Sequence, residues 1–148
     1  MYKLKKYHAA ELLYRQSLKI REENLGQYHL LTAASMNNLA FLLLSKKDFA
    51  SARLFFQKSI NIREKILGKA NPSTLTSIGG LADSLYFQAD YKNAKTVLKD
   101  YLSLIENVSS PNQQQIERRV RLLVEILKES GEFDEASQLK ARYSQGQS

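Results

Sequence analysis

Cysteine is absent from all 148 residues. Disulfides and thiolate chemistry are thereby excluded, and nothing argues for an oxidising compartment, so an intracellular, cytoplasmic setting is expected. No apolar run approaches the roughly 20 residues that span a bilayer, which speaks against a membrane protein. The opening stretch MYKLKKYHAAELLYRQ has basic residues but no apolar segment before a small-residue cleavage site, so it does not read as a secretory signal. Histidine occurs only as His8 and His29, and no two histidines stand at i, i+4, the spacing that would hold a metal. A phosphate-cradling loop is also missing: IGGLAD at Ile78–Asp83 follows no strand and lacks the lysine such a loop needs. These absences point to a protein without cofactor or metal that is not an enzyme.

The composition that remains is that of a folded chain. Hydrophobic residues make up 43% and charged residues 25%, enough for one domain or one short array with a respectable core. The formal net charge of +7 favours acidic partners. Nucleic acid is the weaker reading, because the bases alternate with acids along stretches such as IREEN, IREKIL and QQQIERRVRLLVEILKES instead of clustering with stacking aromatics.

The strongest signal is internal repetition. Tyr7, Phe49, Tyr91 and Phe133 stand 42 residues apart, and three residues after each comes alanine: Ala10, Ala52, Ala94 and Ala136. Leu13, Phe55, Val97 and Leu139 form another column, and Leu39, Leu81 and Leu123 a third. Each period holds two helical patterns. Met36, Leu39, Ala40 and Leu43 fall at i, i+3, i+4, i+7, as do Ile78, Leu81, Ala82 and Leu85, and again Val120, Leu123, Val124 and Leu127. The second helix of the unit carries Phe49, Ala52, Phe56 and Ile60, with Ser59 keeping a close contact small. Asn71–Pro72 suits an N-cap with proline at the first helical position. Ser110 with Gln113 has the spacing of a capping box, and Gly26, Gly68 and Gly131 sit where helices should stop.

Pairs of antiparallel helices that cannot bury their apolar faces alone must stack on their neighbours. The expected fold is all-α: a right-handed superhelical solenoid of about three and a half units and roughly seven helices, with the alanine column at the close crossings. A single array is expected over residues 1–143, in phase at 7, 49, 91 and 133, with a polar tail at 144–148. The first helical stretch, Tyr7–Leu25, reads as the second helix of a unit whose first helix survives only as Met1–Lys6. It is apolar on more than one side, through Leu12, Leu13, Leu18, Ile20 and Leu25. Either earlier repeats precede it in a longer protein, or a second copy covers it in a homodimer.

Leu39-Ala40 and Leu81-Ala82 in the first helices, each followed by a turn, an aromatic and an alanine, resemble the tetratricopeptide repeat family. Its usual unit is about 34 residues. The longer unit here, with SMNNLAFLL and IREKILGKANPSTLTS, is similar to the repeats of kinesin light chain and of nephrocystin-like proteins. That resemblance implies a protein–protein interaction scaffold whose concave groove, lined by the first helices, holds an extended peptide. Carried onto this chain, it puts Ala34, Asn37, Asn38, Phe41, Leu44 and Ser45 on the groove, followed by Thr76, Gly79, Gly80, Asp83, Tyr86 and Phe87, and finally Arg118, Arg121, Glu125 and Lys128.

Asparagine amides offer both donors and an acceptor to a peptide backbone, and arginine takes a carboxylate through two prongs, so an acidic segment of another protein is the expected ligand. Plainer alternatives stand beside each group. Asn37 and Asn38 suit a solvated polar face, Gly79 and Gly80 suit tight helix packing, and Arg118 and Arg121 suit an ion-paired helix face. Self-association, as an assembly module of a larger protein, is the alternative function.

Overall fold

The computed structural model describes residues 2–144. Among the described residues, seven α-helices follow one another: α1 (Tyr2–Leu25), α2 (Leu30–Ser45), α3 (Phe49–Leu67), α4 (Pro72–Phe87), α5 (Tyr91–Ile105), α6 (Gln113–Glu129) and α7 (Phe133–Ser144). Each helix packs against its neighbours in the chain, and α2 also reaches α4, as stacking units require. The core is one continuous cluster running from Leu18 through Phe56 and Leu98 to Leu127 and Ala136. The alanine column lies inside it at three of its four positions, with Ala52, Ala94 and Ala136 all buried.

The helix ends repeat their chemistry with the same period. His29 caps α2, its Nδ1 accepting from Leu31 N at 3.0 Å, and Asn71 caps α4, its Oδ1 accepting from Ser73 N at 2.9 Å. One of the chain's two histidines is thus an N-cap acceptor. Asp48 and Asp90 cap α3 and α5. In the turns just before those caps, Lys47 and Ala89 hold positive φ, as Gly131 does one period later. Only Gly131 among the three advertises that conformation by residue type. Gly26 and Gly68 take the left-handed conformation where α1 and α3 stop, as expected.

Two local expectations are corrected. Ser110 does not open α6; the cap is Asn112, whose backbone is extended and whose Oδ1 accepts from Gln115 N at 3.2 Å. Residues 2–6 are not the remnant of a preceding helix but continue straight into α1, which runs for 24 residues. Ser144, expected in the tail, is the last residue of α7; Met1 and residues 145–148 lie outside the described residues.

Candidate peptide groove

The first helices, α2, α4 and α6, present equivalent positions 42 residues apart, and those columns carry the candidate groove residues. At the junction of α2 with α4, Asn37 is buried. Its Oδ1 accepts from Ser77 Oγ at 2.8 Å, and Ser77 Oγ also accepts from Arg63 Nη1 at 3.0 Å and lies 3.1 Å from Ser59 Oγ. Asn37 is therefore a joint between repeats, while Asn38 beside it is exposed. Phe41 and Leu44 are half-buried against the core, and Ser45 is exposed.

One period on, the same positions hold different groups. Gly79 stands where Asn37 stood, and Arg119 where Ser77 stood. The two changes are complementary in volume: a Cβ on Gly79 would lie 2.5 Å from the Arg119 guanidinium. Gly80 faces Phe56, whose ring would lie 2.3 Å from an added Cβ. Phe56 is thus held between Gly80 on one side and Phe41 on the other, with Phe41 edge-on at 4.8 Å. The two glycines serve helix packing instead of ligand approach, which corrects their expected place on the groove.

Asp83 is corrected too: it is fully buried instead of facing the groove. Its carboxylate is ion-paired with Arg118, and Arg119 Nη2 donates to it at 3.2 Å. Arg119 Nη1 also donates to Gln115 Oε1 at 2.9 Å and to the Tyr101 hydroxyl at 3.3 Å, with the guanidinium over the Tyr101 ring. Two guanidinium groups on one carboxylate leave one positive charge unbalanced. Asp83 Oδ1 and Arg119 Nε have no hydrogen-bond partner among the described residues.

On the outer turns, Thr76 is exposed and its hydroxyl donates to Pro72 O. The Tyr86 hydroxyl donates to Glu125 Oε2 at 2.6 Å, bridging α4 and α6. That bond to a carboxylate pushes the phenol up to about 12. Phe87 is exposed but stacks on Phe49 at 5.2 Å. Arg121 and Lys128 are exposed and form no ion pair among the described residues.

Of the groups above, Phe41, Thr76, Arg118 and Arg119 border a cavity of about 460 Å³ between the N-terminal ends of α4 and α6, whereas Tyr86, Phe87, Arg121 and Lys128 do not line it. Phe41, Leu75, Ile105 and Val108 supply its apolar wall, and Tyr101, Gln115, Arg118 and Arg119 its polar one. Pro72 and Asn112 mark the two helix starts at its rim. Unpaired backbone N–H groups give a helix start a partial positive charge, so both helix ends add to the excess from the arginines. The sequence reading placed Thr76, Phe41 and Arg118 here but missed Arg119 and Tyr101. A signal existed: Arg119 is the one large residue in a column otherwise occupied by Ser35 and Ser77.

Among the described residues, no cluster of three or more histidine, cysteine, aspartate and glutamate side chains could hold a metal. No helix among them is long and apolar enough to cross a membrane.

Comparison with known proteins agrees with this architecture. A family model described as tetratricopeptide repeat matches residues 1–65. No curated protein matches the sequence. Among solved structures, BtubC (BKLC) from P. vanneervenii superposes with a TM-score of 0.85 at 19% identity, over 95% of this chain and 56% of that one. A putative kinesin light chain from Podosopora anserina, described as having nearly identical TPR-like repeats, superposes in two structures with a TM-score of 0.75 at 20% identity. In a substituted form of that protein the match takes in 93% of this chain and 65% of that one; in the other structure it takes in 95% and 67%. The chain thus spans between about half and two thirds of the length of the structures it matches. In fold it is a helical solenoid like those of tetratricopeptide-repeat proteins, and the model of that family matches residues 1–65.

Proposed function

We propose that this chain is a non-catalytic scaffold, acting inside the cell, that holds an acidic, extended segment of another protein against the concave side of α2, α4 and α6. Tetratricopeptide repeats generally mediate protein–protein interaction, which supports the coarse reading. The finer reading rests on one observation: the cavity between the starts of α4 and α6 joins an apolar wall to an excess of positive charge. A side-chain carboxylate would be drawn to the Arg118 side of that cavity, and a neighbouring apolar side chain to Leu75, Ile105 and Val108. Asn38, Arg121 and Lys128 stand exposed for the flanking residues of the ligand.

Nucleic acid has less support. Nine ion pairs among the described residues tie lysines and arginines to carboxylates, which breaks up the clustered cations that a phosphate backbone would need.

The test is a binding titration with two labelled peptide pools that share one aromatic or branched residue, one pool flanked by glutamates and the other by lysines. The acidic pool should bind, more weakly as salt rises, and Asn38→Ala with Arg121→Glu should lower its affinity about tenfold or more while helicity is unchanged. Equal binding of the two pools, or an unaffected double variant, would overturn the reading.

A further inference from the structure

Helix α1 leaves uncovered the face that its counterparts bury. Ile62 on α3 is buried, yet Ile20, its equivalent on α1, is 58% exposed. Phe56 is fully buried, whereas Tyr14 is 40% exposed; Phe55 is half-buried, whereas Leu13 is 64% exposed. Leu13 and Ile20 are two helical turns apart and share one side of α1. A helix is what the repeat places against these positions elsewhere, as Phe41 of α2 shows where it meets Phe56.

The charges of α1 say which helix fits. Lys3, Lys5 and Lys6 crowd its start, and Glu22 and Glu23 its end; its first turn holds no acid and its last turn no base. That distribution opposes the helix's own dipole at both ends. Lys5 and Glu23 are 18 residues apart, five full turns, and so lie along one line of the helix beside Leu13. An antiparallel copy of the same helix would set each lysine cluster against the other copy's glutamates, and each dipole against its opposite.

We propose that α1 is a self-association face: two copies of this chain pair α1 against α1 across a two-fold axis near Tyr14, burying Leu13 and Ile20 and matching Lys5 of each copy with Glu23 of the other. The interface is isologous, so every substitution acts twice.

Sedimentation equilibrium of the whole chain over a dilution series tests this. The native chain should dimerise. Leu13→Lys with Ile20→Lys should weaken the dimer by about tenfold or more per residue, with helicity unchanged because both side chains are already exposed in the single copy. Lys5→Glu alone and Glu23→Lys alone should each weaken it several-fold, and the two together should restore it. A monomer at every concentration overturns the proposal. So does a dimer indifferent to the charge reversals and to Leu13→Lys with Ile20→Lys, which would show that the copies meet through another face.

Discussion

Two junctions of the same solenoid solve one packing problem with different chemistry. Where α2 meets α4, small polar groups mesh: Asn37, Ser77 and Ser59, with Arg63 of α3 closing the network from the side. Where α4 meets α6, Gly79 and Arg119 replace Asn37 and Ser77, Tyr101 replaces Ser59, and Ile105 replaces Arg63. The guanidinium has in effect moved from the second helix of a unit to the first of the next, and the glycine makes room for it. The first junction is neutral apart from one arginine, and its Asn37 Oδ1, Ser77 and Ser59 hydroxyls and Arg63 guanidinium are all hydrogen-bonded. At the second, a buried carboxylate carries two arginines and leaves Asp83 Oδ1 and Arg119 Nε unpartnered among the described residues. A solenoid can therefore keep its geometry while converting one joint from filler into a charged, partly hollow site.

Breaking the second junction should have the larger effect. Arg119→Ser removes the buried partner of Asp83 and leaves that carboxylate with Arg118 alone. A loss of about 3 kcal/mol is expected in urea unfolding followed by circular dichroism. Adding Asp83→Phe, which copies Phe41 and Ser77 of the first junction, should recover more than half of it. No recovery would mean that the two joints are not interchangeable solutions.

At the first junction, Asn37→Ala strands the Ser77 hydroxyl without its acceptor and should cost about 1 kcal/mol in the same measurement. A cost as large as that of Arg119→Ser would erase the distinction between a neutral joint and a charged one.

The smallest effect belongs to the bridge at the rim. Tyr86, raised from 10.0 to about 12 by its bond to Glu125, should ionise late in an absorbance titration, and Glu125→Gln should bring it back towards 10. The folded value lies above the unfolded one. Its contribution to stability is therefore complete below pH 10 and is lost as the pH rises from there through about 12. A phenol that titrates near 10 in the native chain would show that α4 and α6 are not bridged there.

The groove residues show where reading by column succeeds and where it stops. Asn38, Thr76, Arg121 and Lys128, which the family resemblance put on the groove, are exposed on first helices. Asn37, Gly79, Gly80 and Asp83 share that pattern but are buried, because a position on the side of a helix faces either the groove or the next repeat according to small rotations of the packed pair. Residue type does not report such rotations. Asp83 illustrates the difficulty: aspartate in a helix reads as surface, and only the arrival of Arg119 from 36 residues away makes its burial tolerable. The cap of α6 was not decided by residue type, since Ser110 and Asn112 are both good caps and the structure uses Asn112.

What the sequence determined by itself is everything that depends on near neighbours in the chain. The 42-residue period, the alternation of two amphipathic helices, the stopping glycines and the alanine crossings all follow from side chains within one unit and its copy. Tertiary structure alone decided which polar residues join repeats and which stay exposed, that Arg119 needs Gly79, and that α1 is left with Leu13 and Ile20 uncovered. Those outcomes depend on distances between helices, and such distances are set by the packed volumes of residues a full repeat apart.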